Sequence, residues 1–281
     1  MVAIACFIAM TSIADAKGKR RRGKKAKAKK TAALRVSAEN AKALGQLMGP
    51  YKFGMSKNDV LKILSRQLNK KYAAKIKDSD DVYDQDRLRK RKARDIARIK
   101  NSFVTFSGKK TGWDVSIIDD EFEHGTDESM MVHWENEGDR DQRRFFFFHD
   151  DRLWKMFIAL DSKMLRPEQR QFDYFQDIME KRYGPAVIHT ETRHGRSRPT
   201  HISWSTKKLR VRAIDKLRFY GNFCLSVSEP GEEDALISIR ESVRPEKKTN
   251  RIIDAVVSKD DDADTPSLDD NKGAIDALLD K

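Results

Sequence analysis

The chain has 281 residues, enough to bury an ordinary hydrophobic core in one large domain or two small ones, but with 36% charged against 38% hydrophobic residues part of that length is tail. The net charge of +13 is unevenly spread: Lys17 to Lys30 hold ten basic residues and no acid, Lys259 to Lys281 hold eight Asp against three Lys, and residues 31–258 carry +9. Two cysteines, Cys6 in the apolar start and Cys224 in FCLSV, exclude a disulfide framework, and Cys224 reads as a small core hydrophobe.

Val2 to Met10 form an apolar run of signal-peptide length, far short of the roughly 20 residues that span a bilayer. Ala14-Asp15-Ala16 supplies small residues at the −3 and −1 positions of a cleavage site, so residues 1–16 read as a signal peptide cut after Ala16, although no Lys or Arg precedes the run. Only five residues precede Cys6, which argues against lipid attachment there. Export would place the protein in the bacterial periplasm or outside the cell. Residues 17–49 then read as a basic disordered tail and linker, rich in Ala, Gly and Lys. Such a tract is a spacer, a lead drawn to anionic lipid or wall polymer, or a neutraliser of nucleic-acid phosphate.

Within that linker Leu34, Ala38, Ala41, Leu44 and Met48 keep a loose helical spacing up to Gly49-Pro50. A first helix-plus-sheet unit covers 50–162. Its helix starts at Ser56, a good N-cap, and repeats Val60, Leu61, Leu64, Leu68 and Tyr72 at the helical period. The acidic DSDDVYDQD interrupts, and a second, very basic helix follows from about Arg87 to Lys100. Its charge reads as a solvated face, or alternatively as a dedicated anion-binding one. From Ser102 the period switches to two, and NSFVTFSG, WDVSIIDDEFEH, SMMVHWEN, RRFFFFHD and RLWKMFIALD read as an antiparallel meander. Consecutive Phe145 to Phe148 imply a central strand covered on both faces, or one with one face on the core and the other on a partner.

The second unit, 163–243, repeats this order. Pro167 opens a helix with Phe172, Phe175, Ile178, Met179 and Tyr183 on one stripe, and Gly184-Pro185 stops it. AVIHTETR, THISWST, KLRVRAID, LRFYGNFCLSV and ALISIRESV follow as strands. The fold class is α+β: helices on one face of antiparallel sheet, in two helix-plus-meander units that form either two subdomains or one continuous sheet. Residues 244–281 read as an acidic C-terminal tail.

The stretch PYKFGMSKNDVLKIL resembles the start of small bacterial envelope proteins, the outer-membrane assembly lipoproteins and the related fold of the β-lactamase-inhibitor protein. Gly54-Met55-Ser56-Lys57 with Val60 carry the match, about a dozen residues of the 281. The resemblance implies an exported binding or assembly module without enzymatic activity. A lipid-bearing Cys and the Gly-x-Pro that often follows the helix are missing.

The chain contains no phosphate-cradling Gly loop, nucleophile elbow, HExxH or CxxC, and no cofactor is expected. If Gly125 to Glu128 close a hairpin, Asp120 faces His133 and His124 lies near the turn on the same side, a set chemically suited to a metal ion or, more plainly, an ordinary cross-strand pair. Arg193, Arg196 and Arg198 gather in a basic loop suited to a carboxylate or phosphate. The leading expectation is an exported envelope protein that binds an envelope protein or anionic surface polymer. The alternatives are a nucleic-acid-binding protein that uses the basic tract and the Arg87 to Lys100 helix, and a metal-dependent hydrolase centred on Asp120.

Overall fold

The computed structural model describes residues 36–135, 141–193 and 196–243, with the backbone alone at 192–193 and 196–198. The expected signal peptide with its cut after Ala16, the basic tract and the acidic tail lie outside the described residues. By its contacts the chain divides into a body that ends at Ser242 and a unit from Val243 to Lys281.

Six helices and eight strands are described: α1 Ala38–Gly45, α2 Lys57–Lys77, α3 Val82–Asn101, β1 Val104–Thr105, β2 Glu128–Trp134, β3 Arg143–His149, β4 Arg152–Asp161, α4 Phe172–Tyr183, β5 Val187–Arg193, β6 Arg196–Ser205, β7 Arg210–Lys216, α5 Leu217–Tyr220, β8 Asn222–Ser228 and α6 Pro230–Val243. The strands form one eight-stranded sheet in the order β1-β2-β3-β4-β8-β7-β6-β5, with every neighbouring pair antiparallel. The meander of each half therefore continues into the other through the β4–β8 pairing, and the fold is α+β. Among the described residues no helix is long and apolar enough to cross a membrane.

Helix α2 begins where its cap dictates. The Ser56 hydroxyl accepts the Asp59 amide and donates to the Asp59 carboxylate, which closes the first turn, and Val60, Leu64, Leu68 and Tyr72 are buried along one stripe. Upstream, Gly54 with φ +81 turns the chain so that its amide donates to the Leu153 carbonyl while the Leu153 amide donates to Met55. Gly54 and Met55 thus act as a short extra strand against β4, beside the β3–β4 irregularity that lets Trp154 and Lys155 face the same side. Asp81 caps α3 through the Tyr83 amide at 2.9 Å, so the acidic stretch read as an interruption is the start of that helix. The linker expected over 17–49 also ends early: α1 and the turn after it bury Leu44, Leu47 and Met48.

Phe145 to Phe148 are all fully buried. Phe146 and Phe148 join Met131, Met156, Ile158, Trp204, Val211 and Leu225 under α1, α2 and α4. Phe145 and Phe147 join Trp154, Phe157, Ala159 and Cys224 on the opposite face, which residues 106–122 and Leu236 of α6 cover. Three expected strands are corrected here, the first being LRFYGNFCLSV, whose Leu217–Tyr220 form helix α5 and whose strand starts only at Asn222. WDVSIIDDEFEH is a series of turns, because adjacent Ile117 and Ile118 both pack onto the second face, a burial that an alternating strand forbids. ALISIRESV belongs to α6, which starts at Pro230 with Glu232 and Glu233 in its first turn, a helix-opening pattern.

Candidate functional site

The expected metal set is dispersed. Asp120 is exposed and accepts Lys216 Nζ at 3.0 Å. His124 accepts the Gly108 amide at Nδ1, so its Nε2–H donates to Asp114 Oδ1 at 2.6 Å. His133, on β2, points Nδ1 toward Glu135 Oε1 at 3.5 Å. The hairpin that was to bring the three together fails because residues 113–124 are turns, and among the described residues no group of three His, Cys, Asp or Glu is placed to hold a metal ion. Arg193, Arg196 and Arg198 lie on the β5–β6 hairpin, where Arg193 pairs with Arg196 and Glu191 with Arg198; their side chains lie outside the described residues.

Sequence reasoning missed a buried ionic cluster on the second face of the sheet. Lys155, at the centre of β4, is buried with its ammonium 4.4 Å from the ring centroids of both Phe147 and Trp154. It donates to the Glu121 carbonyl and, at 3.0 Å, to Glu121 Oε2. The same carboxylate receives Arg212 at 3.1 Å, and Arg212 also donates to Ser226. Next to it Arg240 of α6 grips Glu128 with bonds of 2.7 and 2.5 Å and donates to the Glu121 carbonyl at 3.0 Å. Glu233 and Asp234 of α6 hold Arg210 at 2.9 Å each.

Four cations thus face four anions. Burial alone would raise the Glu121 carboxyl, but Lys155 and Arg212 outweigh it and hold it at about 2. Burial pulls the Lys155 ammonium down to about 8 against the opposing pull of Glu121. Both stay charged at neutral pH. A lysine so shifted is a recognised nucleophile type, yet this one is 1% exposed and enclosed by Glu121 and two rings. Its work is to tie the 106–127 segment and α6 onto the sheet. The signal was legible: a lone Lys amid the apolar RLWKMFIAL requires a buried anion.

The exposed counterpart is the α2–α3 hairpin. Residues 57–101 hold fifteen basic and seven acidic side chains, +8 of the +9 carried by residues 31–258. Lys62, Arg66, Lys70 and Lys75 on α2 and Arg87, Arg89, Lys90, Arg91, Arg94 and Arg98 on α3 are all exposed. The helices adhere through Tyr72, whose hydroxyl donates to Asp95 at 2.5 Å, and the base of α3 is fixed by Arg98 stacked 3.7 Å over Trp134. A shallow depression along α3 is lined by Tyr83, Asp86, Arg87, Lys90, Ala93 and Arg94. Tyr83 and Val82, 87% and 71% exposed, stand bare at its N-terminal end.

This arrangement can attract anions over a distance and hold them at several points, and it offers no enclosed chamber in which to transform them. No family model, curated protein or solved structure matches the chain.

Proposed function

We propose that the protein is an exported component of the bacterial envelope, a binding module without catalytic chemistry, that holds an anionic polymer or surface on the α2–α3 hairpin. One observation carries this reading: nearly all the net charge of residues 31–258 sits on two adjacent helices whose basic side chains face solvent, while Lys155, Arg212, Arg240 and Arg210 beside the sheet are each held by a carboxylate. A surplus of like charge on one element raises the local anion concentration and suits a repeating polyanion better than a single small anion. The tract Lys17 to Lys30 is a second cationic arm for the same ligand, and two linked arms bind with higher avidity than either alone. Export itself rests on the apolar run Val2 to Met10 and the Ala14-Asp15-Ala16 site.

Two measurements test the two halves. Fractionation and N-terminal sequencing of the protein from its cells should find a chain that starts at Lys17 outside the cytoplasm, and an intact Met1 in the cytosol would overturn export. Titration with sodium polyphosphate should give binding that weakens steeply with salt, and no binding of polyphosphate, oligonucleotide or anionic vesicle at low salt would end the polyanion reading. Nucleic acid is one such polyanion, favoured by the exposed ring of Tyr83 at the end of a row of cations.

A further inference from the structure

We propose that the outward face of α3 is a binding surface for single-stranded nucleic acid, with Tyr83 as a platform for one base and Arg87, Lys90 and Arg94 as contacts for successive phosphates; this rests on the polyanion reading above and names the polyanion. Tyr83, Arg87, Lys90 and Arg94 follow one another at helical spacing along one side of α3. At ~1.5 Å of rise per residue the row covers about 16 Å, with steps of roughly 4 to 6 Å between neighbours. Ala93 and Ala97, both exposed, leave room beside the row for a backbone to lie close to the helix.

The cations are available. Arg94 is exposed and lies within electrostatic reach of Tyr72 beside the seam. Arg87 and Lys90 pair with Asp84 at 2.7 Å and Asp86 at 2.8 Å, but all four side chains are largely exposed. Such pairs are worth a few tenths of a kcal/mol, so a phosphate displaces the carboxylate readily.

Tyr83 distinguishes nucleic acid from other polyanions. A bare aromatic ring at 87% exposure contributes nothing to the fold that the structure shows, and a polymer without rings gains little from it. An unpaired base stacks on such a ring whatever its identity. A bilayer fits worse, because Tyr83 and Val82 sit at the hairpin tip, where Asp78, Asp80 and Asp81 are exposed and repel an anionic surface approached end-on. A strand laid along α3 carries its phosphates past Arg94, Lys90 and Arg87 and meets the tip with a neutral base.

The test is fluorescence anisotropy on the full chain, so that the basic tract contributes equally to wild type and variants. The probes are labelled oligodeoxythymidylate of roughly 12 nucleotides, within the site sizes of single-strand binders, sodium polyphosphate, and vesicles of phosphatidylcholine with phosphatidylglycerol. Tyr83→Ala should weaken oligonucleotide binding roughly 5- to 150-fold, the range of one lost base stack, and leave polyphosphate binding unchanged. Replacing Arg87, Lys90 and Arg94 together by Gln should lower the slope of log affinity against log salt by about 2, since each single-strand phosphate contact contributes about 0.7. Unchanged oligonucleotide affinity in Tyr83→Ala, or an unchanged slope in the triple variant, would overturn the assignment. If wild type binds polyphosphate or vesicles and Tyr83 has no effect on the oligonucleotide, this inference falls and the polyanion reading stands. If it binds none of the three at low salt, both fall.

Discussion

Replacing Glu121 by Gln keeps its shape but removes the charge that Lys155 and Arg212 share, at 3.0 and 3.1 Å. The cost follows by two routes. The folded chain holds this carboxyl at about 2 against an ordinary value of 4.5, and at 1.36 kcal/mol per unit that difference makes ionised Glu121 worth about 3 kcal/mol. Removal of one partner from a buried ion pair costs about 3 to 5 kcal/mol in general, because the other charge is left in a poor environment. The sign with pH is fixed: a depressed carboxyl stabilises the fold above its unfolded value, and that stability is lost as pH falls from about 4.5 toward about 2. Urea denaturation at constant m-value should therefore give Glu121→Gln a deficit of about 3 kcal/mol at pH 7, shrinking to about 1 kcal/mol at pH 3. The further change Lys155→Met in that background should restore part of the deficit, since an apolar chain fits between Phe147 and Trp154. An equal deficit at both pH values, or one below about 1 kcal/mol at pH 7, would refute the assignment of a functioning charge network.

Arg240→Met removes both bonds to the buried Glu128 and leaves Leu236 as the buried residue of α6; amide hydrogen exchange over 230–243 should accelerate while the α2 amides stay protected. Gly184 has φ +83, and an added Cβ would lie 2.0 Å from the Asn40 side-chain nitrogen, so Gly184→Ala should lower stability by about 1 to 2 kcal/mol in chemical denaturation. Ser56→Ala deletes the cap of α2 and should cost about 1 kcal/mol by the same assay.

Where one physical signal stood alone, the sequence was readable. Ser56 followed by Val60, Leu64, Leu68 and Tyr72 has no alternative to an amphipathic helix, and four adjacent Phe have no alternative to a two-sided burial. Errors arose where two signals competed. Leu236-Ile237-Ser238-Ile239 alternates like a strand, but Pro230 and the acids behind it start a helix, and Ile237 and Ile239 end up partly exposed on it. In WDVSIIDDEFEH the apolar content looked like a strand, whereas Asp119 and Asp120 are drawn to Lys216, 97 and 96 positions away, a tertiary contact no local pattern encodes. The ionic cluster was half legible. Lys155 in an apolar strand demanded a partner, but nothing local identifies Glu121 in a turn 34 positions upstream as that partner. The proposed binding face was fully present in the composition of Arg87 to Lys100, and only Tyr83, hidden in the acidic stretch, needed the structure.

The two populations of charge obey different rules, and that difference separates scaffold from the proposed binding surface. A buried charge without a partner is costly, so on the second face of the sheet Lys155, Arg212, Arg240 and Arg210 are each held by a carboxylate. On α2 and α3 the surplus of +8 faces water, where it is cheap to keep but repels itself, so the hairpin is less stable alone than with its charge neutralised. A polyanion that settles on the hairpin must then stabilise the fold, by about 2.7 kcal/mol at a ligand concentration a hundred times Kd. For a body of this size that raises Tm by about 5 to 10 °C, and added salt should erase the gain along with the binding. The basic tract Lys17 to Lys30 gives a different outcome, because a ligand held there neutralises no charge on α2 or α3. Polyphosphate that binds in a titration but leaves Tm unmoved would therefore assign the ligand to the tract and remove the hairpin from the function.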